Sequence, residues 1–471
     1  MDRLPPELVE MVLMRADACT FSVLRCVCAQ WRALAKVLPN KRTLGRKGHV
    51  CTSARRCAIR YAYRMATTQR WNLLDWMIGC TGPFDTVNTT DSHACDMAAA
   101  YGAMAKLQAF HQKGYRLYSA TFAHAAHNGD LRVLEWLRDN GCPLTYHASE
   151  AAADAGNMDA LKWLLANRCP LGRMVAARAA LNGDLTMLHW LKANGHVDRS
   201  SKTIVYAARA GHIAVLEWAV SNGYAWKPSA YDCAARSGHI RVLQWAKSRG
   251  YDIPDSACSW AAAGGHLDIL QWLVTNGRTM NKGVCASAAL IGRLDIVKWA
   301  RANGCPWSKR TCLNATEGGH LEVLEWAHAN GCECTDEVCM LAARHGHLDI
   351  LKWAKGHGFL WDVWATAEAA RGGHLEVLQW ARENGCPWDQ MVCTNAAAGG
   401  HLETLQWARS KGCPWDSMTG SRAVYGGHLS VIQWALTNGL PYTRDLHKLA
   451  LRDDHVDIAQ WLQANCWPDN V

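Results

Sequence analysis

Tryptophan recurs along most of this chain at an almost constant spacing, and this spacing limits the possible folds more than any other feature. Between positions 136 and 461 it recurs thirteen times, and eleven of the twelve intervals are twenty-seven residues long; the remaining one is a single residue longer. A fixed period of this length is the signature of stacked repeats, in which each copy packs on its neighbours. The abundance of tryptophan, 24 residues against 5 phenylalanines, therefore reflects one position copied many times. This ladder comprises Trp136, Trp163, Trp190, Trp218, Trp245, Trp272, Trp299, Trp326, Trp353, Trp380, Trp407, Trp434 and Trp461.

Each copy has the pattern of two short helices joined by a glycine-rich turn. In one copy Leu375, Val377, Leu378 and Trp380 form an apolar stripe at helical spacing. An Asn-Gly pair ends that helix, because glycine adopts the left-handed conformation easily. Polar residues then stand where they can cap the next helix: Thr145, Ser308, Thr335, Asp362, Asp389, Asp416 and Thr443.

The pattern predicts an all-α solenoid of about fifteen helix-turn-helix repeats over residues 55–471. Residues 116–471 hold the regular copies. Residues 55–115 hold degenerate ones, in which Trp76 and Phe110 occupy the ladder position.

The repeat resembles the ankyrin repeat. Ala369–Leu378 matches that family's Ala-Ala-x-x-Gly-His-Leu-x-Val-Leu core, and the Asn-Gly pair matches the end of its second helix. The period is shorter than the family's, and the missing residues fall between Gly385 and Ala396, where the family has its β-hairpin finger. The longer interval between Trp76 and Phe110 suggests that the first junction keeps a full-length finger. The resemblance implies an ankyrin-like fold with shortened connectors.

Positions that stay constant among the copies are expected to serve stacking. The Trp ladder lies on the apolar stripe, which favours buried packing between repeats over an aromatic binding row. Most copies also place a histidine at the start of the second helix, while Asp130, Asn157, Asp184 and Arg293 replace it elsewhere. These replacements favour a hydrogen-bonding residue over a metal array. The histidines are His212, His239, His266, His320, His347, His374, His401, His428 and His455.

Most cysteines also recur at fixed positions of the repeat, which favours a packing role. One row, in the connector, alternates with Tyr, Phe and Leu, and a second row lies on the first helix. Neighbours within a row are expected to be too far apart for a disulfide, and no export signal is evident at the N-terminus. We therefore expect reduced thiols, no bound metal and a cytosolic or nuclear compartment. The rows are Cys142, Cys169, Cys305, Cys332, Cys386 and Cys413, and Cys258, Cys285, Cys312, Cys339 and Cys393.

Two variable positions are candidate surfaces for a target protein. One is the residue after the Ala-Ala pair, and its candidates are Arg209, Arg236, Arg344 and Arg371. The other is a connector position that holds tryptophan in several copies, and its candidates are Trp307, Trp388 and Trp415, with Trp226 and Trp361 in the same slot. Both packing and partner contact remain open for the connector tryptophans.

Residues 1–38 do not follow the period. They predict two or three helices with an apolar face, which implies a partner because so short a segment buries too little surface to be stable alone. The segment resembles an F-box, with its Leu-Pro-x-Glu-Leu opening, apolar pair and Val-Cys-x-x-Trp-Arg ending. The resemblance implies docking onto the Skp-type adaptor of a cullin–RING ubiquitin ligase; the alternative is a cap for the solenoid. The predicted adaptor contacts are Leu4, Pro5, Leu8, Val12, Leu13, Leu24, Val27, Cys28 and Trp31.

A basic stretch follows, in which residues 39–54 form the predicted linker. From Lys36 to Arg70 there are ten basic residues and no acidic one. The stretch suits a solvated linker, a nuclear-localisation patch or a site for an anionic partner. The net charge of +9 lies within residues 1–80, so residues 81–471 are neutral and nucleic-acid binding through phosphate contacts is disfavoured.

No catalytic motif, cofactor site or membrane-spanning run is apparent. The sequence therefore predicts an interaction protein without enzymatic activity, in which the F-box holds a ligase and the repeats hold an unidentified target. A scaffold without ligase recruitment is the alternative. An F-box ahead of a Trp-rich array of this short period also resembles proteins encoded by giant viruses of amoebae, such as pandoraviruses. That resemblance implies the host cytoplasm, with the nucleus as a further option.

Overall fold

The computed structural model describes residues 91–196 and 202–466, and throughout these ranges the regular structure is helical. The described residues form two compact units. One consists of residues 91–196, 202–207 and 214–225, and the other of residues 208–213 and 226–466. The expected all-α repeat fold is confirmed in both. The predicted F-box, the basic stretch and the first degenerate copy lie outside the described residues.

The described helices form fourteen pairs that follow the tryptophan period. The first helix of each pair carries an odd number: α1 Asp91–Ala100, α3 Ser119–Asn128, α5 Tyr146–Asp154, α7 Val175–Asn182, α9 Lys202–Ala210, α11 Pro228–Arg236, α13 Ser256–Gly264, α15 Lys282–Leu290, α17 Lys309–Glu317, α19 Glu337–His345, α21 Val363–Gly372, α23 Gln390–Gly399, α25 Ser417–Tyr425 and α27 Arg444–Arg452. The second helices are α2 Met104–Gln112, α4 Leu131–Asp139, α6 Met158–Ala166, α8 Leu185–Ala193, α10 Ile213–Ser221, α12 Ile240–Ser248, α14 Leu267–Thr275, α16 Leu294–Ala302, α18 Leu321–Ala329, α20 Leu348–Gly356, α22 Leu375–Glu383, α24 Leu402–Ser410, α26 Leu429–Thr437 and α28 Val456–Cys466.

The first helices form the tightly packed layer of each unit. Within each unit, first helices of successive repeats lie much closer together than second helices do. The Ala-Ala pair makes this possible, because two small side chains let the helix axes approach. Ala369 and Ala370 are both 0% exposed. Each second helix adds buried residues from its apolar stripe, such as Val377, Leu378 and Ala381.

Left-handed residues end both helices of a repeat. After α21, Gly373 has φ +72°, and after α22, Gly385 has φ +82°. The asparagine before the second glycine has a role of its own, because its side-chain Nδ2 donates to the carbonyl oxygen of the ladder tryptophan. In α22, Asn384 donates to Trp380 over 2.9 Å. The same carbonyl oxygen also accepts the backbone N–H of Asn384, 3.1 Å away, so the asparagine closes the last turn with two donors.

The expected caps of the first helices are confirmed only for aspartate. The carboxylates of Asp362, Asp389 and Asp416 accept from the backbone N–H two residues ahead, at 2.9–3.0 Å. Thr145 and Ser308 stand at the cap position without a side-chain cap bond. The same holds for Thr443, while at Thr335 the helix starts one residue later and Asp336 takes the cap position. The prediction is therefore wrong for these four hydroxyl residues.

Candidate protein-interaction surfaces

In six copies the recurring histidine is hydrogen-bonded to the repeat before it. The Nε2 atom of His401 lies 3.0 Å from the carbonyl oxygen of Arg371, thirty residues upstream. That carbonyl belongs to the last turn of α21, where it has no partner within its own helix. Equivalent bonds at 3.0–3.3 Å are made by His266, His347, His374, His428 and His455.

Two replacements of the histidine make the same type of contact. Asn157 donates to the carbonyl oxygen of His127 over 2.5 Å, and Arg293 donates to that of Gly265. Asp130 and Asp184 instead cap their own helices. The hydrogen-bonding role is confirmed, but the histidine's partner is the preceding repeat. Throughout residues 91–196 and 202–466, no group of three potential ligands is suited to a metal ion.

The tryptophan ladder is mostly half-buried, so the expectation of a buried ladder is wrong. Among its thirteen members only Trp218 is buried, at 7% exposed, where it contacts His189 and Tyr224. The others, from Trp136 to Trp461, are half-buried. The buried residues of these second helices are mainly smaller aliphatic ones, such as Ile296, Val297 and Ala300 on the helix that carries Trp299.

The connector tryptophans combine packing with partial exposure. Trp307 lies edge-on to Trp326, the ladder residue of the next second helix, with ring centroids 5.9 Å apart. The guanidinium of Arg301 covers its face at 4.2 Å. Cation–π contacts of this kind are worth about 0.5–1 kcal/mol at exposed sites. Three further copies repeat the arrangement: Lys355–Trp361–Trp380, Arg382–Trp388–Trp407 and Arg409–Trp415–Trp434.

The row after the Ala-Ala pair is exposed and chemically varied. Arg209, Arg236, Arg344 and Arg371 are all exposed at the ends of first helices. Tyr425 occupies the same position and is 64% exposed. Since this row holds arginine, leucine, glutamate and tyrosine in different copies, stacking does not dictate its chemistry.

A second row, three residues earlier on the first helix, escaped the sequence reasoning. It contains Trp260, 38% exposed, and Glu368, 5% exposed. Each meets the arginine of the preceding copy: Arg236 lies over the Trp260 ring at 5.4 Å, and Arg344 forms an ion pair with Glu368 at 2.8 Å. The hydrogen bond to Glu368 also raises the pKa of Arg344 above its usual value. Variation among the copies at this position was the signal available in the sequence.

The structure separates the two candidate target surfaces. The connector tryptophans precede the first helices, whereas the arginine row ends them. A nine-residue helix is about 13 Å long, so the two rows lie at opposite ends of the first helices. They belong to different edges of the repeats and do not form one site.

The cysteine rows face each other, which the sequence analysis missed. Cys285 on α15 donates from Sγ to the sulfur of Cys305, 3.6 Å away in the connector of the same repeat. Cys312 on α17 forms a disulfide with Cys334, with Cα atoms 5.6 Å apart. The expectation that all thiols are reduced is wrong for this pair, because it joins a row to a connector residue outside either row.

Comparison with known proteins identifies the N-terminal segment. An F-box domain profile matches residues 1–43. This segment is an F-box domain. The nine predicted adaptor contacts, from Leu4 to Trp31, fall within the match but outside the described residues. No curated protein matches the chain as a relative.

Solved structures similar to this chain include helical-repeat proteins. A crystal structure of the pentatricopeptide repeat protein PPR10 from maize is 13% identical, with 96% of this chain and 80% of that chain covered and a TM-score of 0.33. A structure of PPR10 in complex with an 18-nt psaJ RNA element is 12% identical, covering 99% and 78%, with a TM-score of 0.34. None of the described helices is long and apolar enough to span a membrane.

Proposed function

We propose that the protein is a substrate receptor of a cullin–RING ubiquitin ligase of the SCF type. The F-box match at residues 1–43 supports this proposal most directly. In this function, the F-box binds the Skp-type adaptor and the repeats bind the protein to be modified. The protein itself is not an enzyme in this scheme, because the ligase supplies the chemistry.

The adaptor contact would derive its energy from the apolar face of the F-box. Burial of such a face contributes about 25 cal/mol per Å², before the cost of ordering the interface is subtracted. Replacing Leu4 and Pro5 by alanine in the full chain should therefore abolish co-purification with the adaptor and cullin. Binding of the target should survive, since the repeats carry a core of their own.

For the target, we propose the exposed arginine row at the ends of the first helices. The row varies among the copies and its side chains are exposed, including Arg236 and Arg344, which contact Trp260 and Glu368. The connector tryptophans are less exposed, and four of them pack between a cation and a ladder tryptophan. Arg236→Ala combined with Tyr425→Ala should weaken target capture without affecting adaptor binding. Trp388→Ala is the matched variant at the opposite edge of the repeats. If Trp388→Ala alone reduces target capture, the connector tryptophans are the contact surface instead.

A scaffold without ligase recruitment is the alternative function. It is favoured if the Leu4/Pro5 double variant brings down cullin at the level of the unmodified chain. A nuclear factor that binds nucleic acid through residues 36–70 is a third possibility, and it requires steep salt dependence of binding. The neutral charge of residues 81–471 weighs against it.

We further propose that the repeat is a shortened ankyrin-type unit. Its Gly-His turn and its closely packed alanine-rich first helices support that relation. The resemblance to proteins of amoebal giant viruses extends the proposal to a virus that redirects ubiquitination in the host cytoplasm or nucleus. Detection of the chain with host cullin in infected cells would test this part.

A further inference from the structure

One position on the first helix holds the following connector in place, and its chemistry differs among the copies. In α11 the hydroxyl of Tyr231 donates to the carbonyl oxygen of Tyr251, twenty residues downstream, over 2.8 Å. In α21 the hydroxyl of Thr366 donates to the carbonyl oxygen of Pro387 over 3.0 Å. These bonds tie the start of a repeat to its end. We refer to this position as the anchor position; in other copies it is occupied by Cys258, Cys285, Cys312, Cys339 and Cys393.

Three of these cysteine anchors face another cysteine. Cys312 is bonded to Cys334, and Cys285 contacts the sulfur of Cys305 at 3.6 Å. In the third copy the Sγ atom of Cys393 lies 3.9 Å from the carbonyl oxygen of Cys413. The described residues thus contain one closed and two open pairs, all linking a first helix to its connector.

We propose that Cys285–Cys305 and Cys393–Cys413 are oxidative modification sites. A peroxide converts each hydrogen-bonded anchor into a covalent one, of the kind that Cys312–Cys334 already shows. The inference concerns the repeats alone and does not depend on the proposed ligase function.

The environment distinguishes the two sulfurs of each open pair. The hydrogen bond from Cys285 lowers the pKa of the Cys305 thiol below its usual value, and the charge of Arg301 acts in the same direction. The pKa of the Cys285 thiol is raised by this bond and by burial. Cys413 is affected in the same way by Cys393 and Arg409. Since the thiolate is the nucleophile, the connector cysteine attacks the peroxide.

The reaction balances with hydrogen peroxide as the two-electron oxidant. The sulfur of Cys305 attacks one peroxide oxygen, the O–O bond breaks, and a sulfenic acid and one water form. The sulfur of Cys285 then attacks the sulfenic sulfur, so that the S–O bond breaks, the S–S bond forms and a second water leaves. Two thiols have lost two protons and two electrons, and the peroxide has become two waters.

Two anchors provide internal controls, because the residue twenty positions downstream is not a cysteine. Cys258 has Arg278 at that position, and Cys339 has Phe359. Burial raises the pKa of Cys258 to about 12 and that of Cys339 to about 11. Both are as buried as Cys285. If Cys285 is oxidised more readily than Cys258 and Cys339, the cause is therefore the sulfur that faces it and not its burial.

The test is a map of disulfides in the full-length protein. The chain is fully reduced, freed of reductant, exposed to hydrogen peroxide, alkylated and digested. Trypsin separates Cys285 from Cys305, and cleavage after Glu317, Glu333 and Glu337 places Cys312, Cys334 and Cys339 on different peptides. Linked peptides for the two proposed pairs and for Cys312–Cys334 should be far more abundant than any that contain Cys258 or Cys339.

The solvent exposure of the paired cysteines predicts the order in which the three disulfides are reduced. Cys285, Cys305, Cys393 and Cys413 are at most 1% exposed, whereas Cys334 is half-buried. Mild reductant applied to the oxidised native chain should therefore open Cys312–Cys334 first.

Serine variants show which cysteines form each disulfide. Cys305→Ser should eliminate the link to Cys285 and leave the link between Cys393 and Cys413 unchanged, while Cys339→Ser should alter neither. The map of the unmodified chain decides the question if a variant does not fold. The proposal is overturned if Cys258 or Cys339 is crosslinked as often as Cys285, or if Cys312–Cys334 forms while both other pairs stay reduced.

Discussion

The tryptophan ladder allows the contribution of burial to be measured at one repeated position. Trp218 is 7% exposed, whereas Trp299, three copies further on, is half-buried. Truncation of a fully buried tryptophan to alanine costs about 3–5 kcal/mol. On that scale we expect about 4 kcal/mol for Trp218→Ala and about 2 kcal/mol for Trp299→Ala, because only part of the second indole leaves a cavity.

Native-state hydrogen exchange is the appropriate assay, since stability in a repeat protein is the sum of local and nearest-neighbour contributions. Opening free energies should be read from the amides of the second helix that carries each tryptophan. Val297→Ala is a useful control, because Val297 is 0% exposed on the same helix as Trp299. Equal losses for the two tryptophans, or a larger loss at Trp299, would refute the link between exposure and stability.

Three further outcomes are expected. His401→Ala should cost about 1 kcal/mol, the value of one lost hydrogen bond, and His401→Asn should recover most of it because asparagine serves this role in another copy; urea unfolding measures both. Gly373→Ala should destabilise more than Gly385→Ala in the same assay. Both have positive φ, at about 1–2 kcal/mol of strain. A Cβ at Gly373 would also overlap the His401 ring, while nothing lies within 4 Å at Gly385. Reduction of Cys312–Cys334 should lower the opening free energy of its connector by about 3 kcal/mol, measured by hydrogen exchange with and without reductant.

The sequence predicted the helices and their turns because their causes are local. An apolar stripe at helical spacing and a glycine at a left-handed position act within a few residues, and α22 with Gly385 shows both. Recurrence also identified the histidine as structural. Its partner could not be deduced, since the carbonyl of Arg371 becomes adjacent to His401 only when one repeat stacks on another.

Exposure and pairing were harder to predict than the helices. A constant residue can be required at the edge of an interface as well as in its centre, so the repetition of Trp299 did not reveal that its side chain is only partly buried. Cysteines at the same position of neighbouring copies are too far apart for a disulfide. Cys312 and Cys334 lie at different positions of one repeat, so their pairing did not follow from that spacing.

The histidine bond also bears on how such an array can change in length. The bond runs from the start of one second helix to the end of the preceding repeat's first helix. Removing one complete copy places the next histidine beside an equivalent carbonyl. The acceptor is a backbone oxygen, so the identity of the residue that carries it does not matter. Removing part of a copy leaves the histidine without an acceptor and the glycine turn out of register. Gains and losses of whole copies are therefore the length changes that the stacking tolerates, and each one shifts the exposed arginine row by a single step.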